Sequence, residues 1–153
     1  MGPSDEAGLE LIRQLRTAAQ LHHAWVAQTW QNERKFHPAA AMLLSDLALH
    51  GECRPSELAK RKMVDVSVVS RQIAQLTAAG LVDRRPAPED GRAALVRVSE
   101  SGHAELKRLR EAHLEFFRTA LGQWSETEVS TLTSAITAMN EALRGRLDGQ
   151  QAG

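Results

Sequence analysis

The 153-residue sequence predicts a mainly α fold carrying one small β-hairpin. Three observations carry that prediction. Apolar residues recur at helical spacing through most of the chain. Two β-prone runs, LVDRRP and AALVRVS, flank the turn-rich segment APEDGR. Just before them, two short helical segments meet at a brief turn.

The first element is a long amphipathic helix over Asp5 to Gln31, a stretch without proline and, after Gly8, without glycine. Leu11, Leu15, Ala18, His22, Val26 and Thr29 share one side of it, with Ile12, Ala19 and Trp25 at the edges. His37-Pro38 marks a break, and Pro38 suits the first turn of a second helix through Leu49, closed by His50-Gly51. Pro55 and Glu57 favour a short helix over Arg54 to Arg61. Asp65 can cap the next helix, which runs to Ala79 and stops at Gly80. After the hairpin, Ser99 opens a helix lasting to about Leu121, with Leu106, Leu109, His113, Phe116 and Phe117 on one side and Gly122 at its end. Ser125 and Glu128 form a capping box for the last helix, along which Val129, Leu132, Ile136, Met139 and Leu143 recur. The tail LDGQQAG is expected to fray. The order is a winged helix-turn-helix flanked by long terminal helices.

Composition narrows the function classes. A chain with 42% hydrophobic and 25% charged residues folds around its own core and is not disordered. The one cysteine, Cys53, excludes an internal disulfide framework and a multi-cysteine zinc site, and the six histidines are dispersed, so no metal is expected. No apolar run spans a membrane, and the acidic start MGPSDEAG lacks the order of a signal peptide, so an intracellular, cytoplasmic protein is expected. Glycine-rich phosphate loops, Gly-x-Ser-x-Gly and paired-histidine motifs are missing, which argues against an enzyme and against a bound cofactor.

Nineteen basic and nineteen acidic residues cancel, yet they are segregated. Arg54 to Arg97 hold nine basic residues against five acidic ones, a local excess of four positive charges. A basic middle between acidic flanks suits a phosphate-rich partner. On the helix after Asp65, Val69, Ile73 and Leu76 fall on one side, whereas Ser67, Ser70, Arg71, Ala74 and Ala78 fall opposite, with Gln72 beside them. Small residues permit close approach to a major groove, hydroxyls reach phosphates or base edges, and Arg71 offers a bidentate fork to guanine. A plain solvated helix face is the alternative. In the hairpin, Arg84 and Arg85 could meet phosphates. Arg92 at the tip could enter a minor groove, oriented by Asp90.

The stretch SELAKRKMVDVSVVSRQIAQLTAAGLVDRRPAPEDGRAALVRVSESG resembles the DNA-binding core of the MarR (multiple antibiotic resistance regulator) family. The resemblance rests on the SELA helix, the V-S-R of the following helix, L-x-x-x-G-L-V before the wing, D-G-R at its tip and V-S-x-x-G after it. Val98-Ser99 stands where Leu-Thr is commoner, and Met63 and Val64 make the approach to the recognition helix unusually apolar. The resemblance implies a homodimer in which the helices of 1–36 and 123–148 interlock, while the lobe 38–99 reads half of an inverted repeat in double-stranded DNA. An intramolecular bundle is the alternative for the terminal helices. It further implies a repressor released by a small, often aromatic and anionic, molecule bound between the dimer helices and the winged lobe.

All six aromatic residues lie outside the basic middle. They cluster on the first helix, the link to the second, and the fifth helix with its end, which in the resembled family wall the ligand cleft. The resemblance thus makes Arg16, His22, Trp25, Phe36, His113 and Phe116 the candidate ligand residues, with ordinary core packing as the other reading. Cys53 also leaves a thiol-based redox sensor to weigh. A ligand-independent architectural or anti-silencing DNA binder differs from the main reading only in lacking an effector. A winged helix used for protein contact is a further rival.

Overall fold

The computed structural model describes residues 2–31, 38–89 and 91–151, with Trp30, Gln31 and Gln151 described by their backbone alone. It divides into two compact units, 1–111 and 112–153. The elements are α1 (Asp5–Gln31), α2 (Pro38–His50), α3 (Pro55–Lys62), α4 (Val66–Ala78), β1 (Val82–Pro86), β2 (Ala94–Val98), α5 (Glu100–Ala120) and α6 (Glu126–Gln151). Each helix expected from periodicity is present, within a residue or two of its expected ends except at the end of α6, and so is the hairpin. The predicted fold class holds.

In the first unit the core is built on α2, whose Ala40, Ala41, Leu43, Leu44 and Leu47 are almost wholly removed from water. Against it lie α4, with Val69, Ile73 and Leu76, and β2, with Val96, while α3 packs on α4 and contributes Leu58; all five residues are buried. These aliphatic residues at three- and four-residue spacing are what make α3 and α4 stable as short helices, since packing rather than propensity holds such elements. Gly51 and Gly80 end α2 and α4 at φ of 79° and 75°, a left-handed conformation that costs glycine nothing. α3 ends differently: Met63 takes φ 55°, and Val64 N–H donates to the Ala59 carbonyl to close the turn before α4.

β1 and β2 pair antiparallel, with Arg84 opposite Val96 and Arg85 opposite Leu95. Cys53 adds an antiparallel bridge on the other edge of β2, its amide and carbonyl both bonded to Val96. The root of the hairpin is fixed again by Ser99, whose hydroxyl donates to the Gly80 carbonyl and accepts from Gly102 N–H. Gly102 is there for a steric reason. A Cβ on it would stand 2.2 Å from the Leu81 carbonyl oxygen and 2.7 Å from a Val98 methyl.

In the second unit, Ser125 caps α6 as expected: its amide donates to the Glu128 carboxylate at 2.8 Å, and Glu128 N–H donates to the Ser125 hydroxyl. Every described side chain of α6 is exposed except Met139, which is half-buried. One expectation needs correction. The tail from Leu147 was expected to fray, but α6 continues through Gln151. A single Gly149 weakens a helix by only about 1 kcal/mol relative to alanine, too little by itself to end a ladder already seven turns long. Among the described residues no helix is long and apolar enough to cross a membrane.

Candidate nucleic-acid interface

α4 is held by its inner side and capped at its start. Asp65 accepts from Ser67 N–H at 2.8 Å and from the Ser67 hydroxyl at 2.5 Å. Those two bonds, the hydroxyl first, hold the Asp65 carboxyl below the usual range. Ser67 is exposed, as expected for a groove-facing residue, but its proton already goes to Asp65. Its oxygen is left as an acceptor, which fits a base amino group better than a phosphate. Ser70 and Arg71 are exposed and Gln72 is half-buried.

Around Arg71 the structure adds two residues that the sequence reading passed over. Val68, Arg71, Gln72 and Gln75 line one shallow depression of about 340 Å³ on the outer flank of α4. The signal was present, since positions separated by three, four and seven residues share a helical stripe. Guanidinium, carboxamide and methyl groups are the side-chain chemistries that read guanine, adenine and thymine in a major groove.

On the hairpin, Arg84, Arg85 and Arg92 are all exposed. They do not share one environment. Arg84 has no ion-pair partner among the described residues. Arg85 lies in a two-pronged ion pair with Glu52, Nε at 2.7 Å from one carboxylate oxygen and Nη2 at 2.5 Å from the other. The Arg85 hydrogen bond is the main force holding the Glu52 carboxyl below its usual range, and Glu52 in turn raises Arg85. Glu52 could not have been found from the sequence, because 33 residues separate the pair. Asp90 lies outside the described residues.

The candidate ligand residues fall into two groups. In the first unit, Arg16 is exposed, and half-buried His22 stacks on buried Trp25 with ring centroids 6.5 Å apart. Arg16 and His22 are six residues apart on one helix, so they lie about 120° apart around its axis and are not brought together. In the second unit, His113 lies 4.9 Å from the Phe117 ring, and Phe116 meets Phe117 edge-on at 6.0 Å. Phe36 lies outside the described residues. Cys53 is buried, accepts from Arg61 Nη2 at 3.0 Å, and has its thiol pushed up by burial, with Arg61 opposing only in part. That is the setting of a structural thiol, not an activated one. Among the described residues no three metal-ligating side chains cluster.

Comparison with known proteins agrees with this architecture. The model of the MarR family matches residues 37–94, from α2 to the start of β2. The Bacillus subtilis HTH-type transcriptional regulator YxaD is 30% identical over 134 residues, which span 88% of this chain and 94% of YxaD. The Pseudomonas putida HTH-type transcriptional repressor IacR is 31% identical over 87 residues, 57% of this chain and 52% of IacR. The crystal structure of a probable transcriptional regulator from Pseudomonas aeruginosa superposes with a TM-score of 0.66 at 30% identity, covering 82% of this chain and 92% of that one. A helix-turn-helix packed on its inner side, a two-stranded wing and similarity over 88% of the chain together establish that the chain belongs to the MarR family of DNA-binding transcriptional regulators.

Proposed function

We propose that the protein is a homodimeric repressor whose two winged lobes read the halves of an inverted-repeat operator and whose grip is released by a small, aromatic, anionic ligand. The observation that carries the DNA-reading part is the outer stripe of α4. Ser67, Ser70 and Arg71 are exposed on a helix whose opposite side, Val69, Ile73 and Leu76, is sealed in the core. Such a helix can enter a major groove without disturbing its own packing. Arg71 serves as the guanine-reading fork, Ser67 as a base-edge acceptor, Ser70 and Gln72 as base-edge or backbone contacts, Arg84 as a phosphate contact, and Arg92 as the minor-groove probe with Asp90 orienting it. Two recognition helices about 34 Å apart would occupy successive major grooves.

The dimer reading is supported by α6. Val129, Leu132, Ile136, Leu143 and Leu147 are between 37% and 53% exposed at spacings of three, four and seven residues, an apolar seam left open in the single chain. The ligand reading is supported by two aromatic groups, each taken by itself: His22 with Trp25 in the first unit, where Arg16 of the same helix offers a cation for a carboxylate or phenolate, and His113 and Phe116 about the Phe117 ring in the second. Repressor polarity is supported by the similarity to IacR.

The test is fluorescence anisotropy with a labelled duplex from immediately upstream of this protein's own gene, a scrambled duplex as control, and a salt series. Preferential binding whose affinity falls along a log–log slope of about −0.9 per neutralised phosphate is expected. Equal weak binding to both duplexes, and no enrichment from a random pool, would favour a protein partner for the winged face. Arg71→Ala should weaken binding by roughly 1–3 kcal/mol and relax the sequence preference; a uniform loss across sequences would make it a phosphate contact. Arg16→Ala and His22→Ala should keep DNA affinity and lose the response in a screen of aromatic acids. If neither variant changes the response, the ligand site lies elsewhere.

A further inference from the structure

The outer face of the wing carries a charge lattice that the DNA contacts above do not use. Cys53 stands opposite Val96, so antiparallel pairing brings Glu52 opposite Arg97, which itself faces Asp83 across the hairpin. Strand alternation then puts Glu52, Arg97, Asp83, Leu95 and Arg85 on one face. Arg97 Nε lies 3.7 Å from Asp83, and Glu52 reaches diagonally across β2 to Arg85. The two pairs differ in quality. Both members of Asp83–Arg97 are more than half exposed and meet at one long contact, the kind of surface pair that contributes little. In Glu52–Arg85 the Glu52 side chain is three-quarters covered, and both of its carboxylate oxygens are taken by the two prongs of the guanidinium.

Its location gives the second pair a task. Glu52 lies three residues before Pro55, the first residue of α3, and Arg54 N–H is bonded to Glu57 of that helix. Glu52 is thus part of the frame that holds the helix-turn-helix. Arg85 belongs to β1, where only Val82 is buried and the remaining four residues are exposed. Along β1, Arg85 is three residues beyond that buried anchor. We propose that Glu52 and Arg85 are a positioning pair: they fix the wing against the helix-turn-helix at the angle that lets Arg92 and Arg71 engage DNA together. Arg85 is then a brace and not a phosphate ligand.

This inference rests on the reading of the wing as a DNA contact, and one experiment separates the two. Wild type, Glu52→Gln, Arg85→Met, the charge-swapped double variant Glu52→Arg/Arg85→Glu, and Arg92→Ala are titrated by anisotropy at several salt concentrations. The probe is a duplex selected from a random pool by the wild-type protein, and urea midpoints confirm that each variant is folded. Glu52→Gln removes a negative charge, so general electrostatics alone would tighten binding to DNA. The brace requires the opposite: affinity lower by about 5- to 10-fold with an unchanged salt slope, a similar loss in Arg85→Met, and recovery to within about 3-fold in the swap.

Tighter binding by Glu52→Gln with a steeper slope would show Arg85 released to a phosphate, and would overturn the proposal. So would Arg85→Met with a slope shallower by about 0.9, or no change in either single variant. If Arg92→Ala weakens binding while Glu52→Gln does not, the brace alone fails. If Arg92→Ala has no effect, the wing reading fails and takes the brace with it.

Discussion

The winged segment and α6 place aliphatic residues at the same helical spacing and treat them in opposite ways. In α4, Val69, Ile73 and Leu76 are within 1% of complete burial. In α6, Leu132 and Ile136 are 46% and 42% exposed, and Leu143 is 53% exposed. Periodicity says which side of a helix wants cover, but not which chain supplies it. The winged segment closes over its own core. The seam of α6 is open in the single chain, which is the pattern expected of an element completed by a second copy.

The most severe test of that contrast is Ile136→Glu. A charge in the centre of the seam should convert the dimer to monomer in sedimentation equilibrium. It should also lower operator affinity by roughly 100-fold, because the two half-sites would no longer be bound as one unit. The urea midpoint of a monomeric winged segment should change little. A variant that stays dimeric would place the dimer contact elsewhere, and a wild type that is monomeric at micromolar concentration would remove the dimer reading.

The converse change strikes the winged segment and spares α6. Gly102→Ala puts a methyl against the Leu81 carbonyl, a backbone atom that cannot rotate away. Chain or hairpin must shift, so the variant should lose about 1–3 kcal/mol of stability in urea denaturation and keep its oligomeric state. An unchanged midpoint would mean that the junction between hairpin and α5 is looser than its contacts imply.

How much of this was legible beforehand follows the same division between local and distant causes. Helix positions, the Asp65 and Ser125 caps and the glycine stops at 51 and 80 are local, and each was readable from neighbours a few residues away. The family resemblance covered the same ground, since its motifs are the caps, turns and core positions of α3, α4 and the wing. Glu52 was invisible because its partner is 33 residues distant and nothing nearby marks it. Arg84 and Arg85 looked equivalent as adjacent arginines, yet strand alternation turns them to opposite faces of the hairpin. Ser67 was legible as exposed but not as a donor already committed to Asp65. Arg16 and His22 were grouped by composition, although helix geometry separates them.

The smallest effect expected is also local, and its sign can be worked out. Asp65 is ionised at a lower pH in the folded chain than it would be unfolded, because Ser67 donates two hydrogen bonds to the carboxylate. A lowered native value means that the stabilisation is fully present above the ordinary aspartate range and is lost as pH falls through the native value. Asp65→Asn keeps a residue able to cap α4 and removes only the charge. At neutral pH the variant should therefore melt slightly below the wild type, and the two curves should converge as the solution is acidified past the point where Asp65 takes up its proton. Glu52 and Glu128 are lowered in the same sense but are present in both proteins, so they cancel in the difference. A gap that stays constant with pH would mean that Asp65 caps α4 through its shape alone, and a gap that widens in acid would contradict the hydrogen bonds drawn from Ser67.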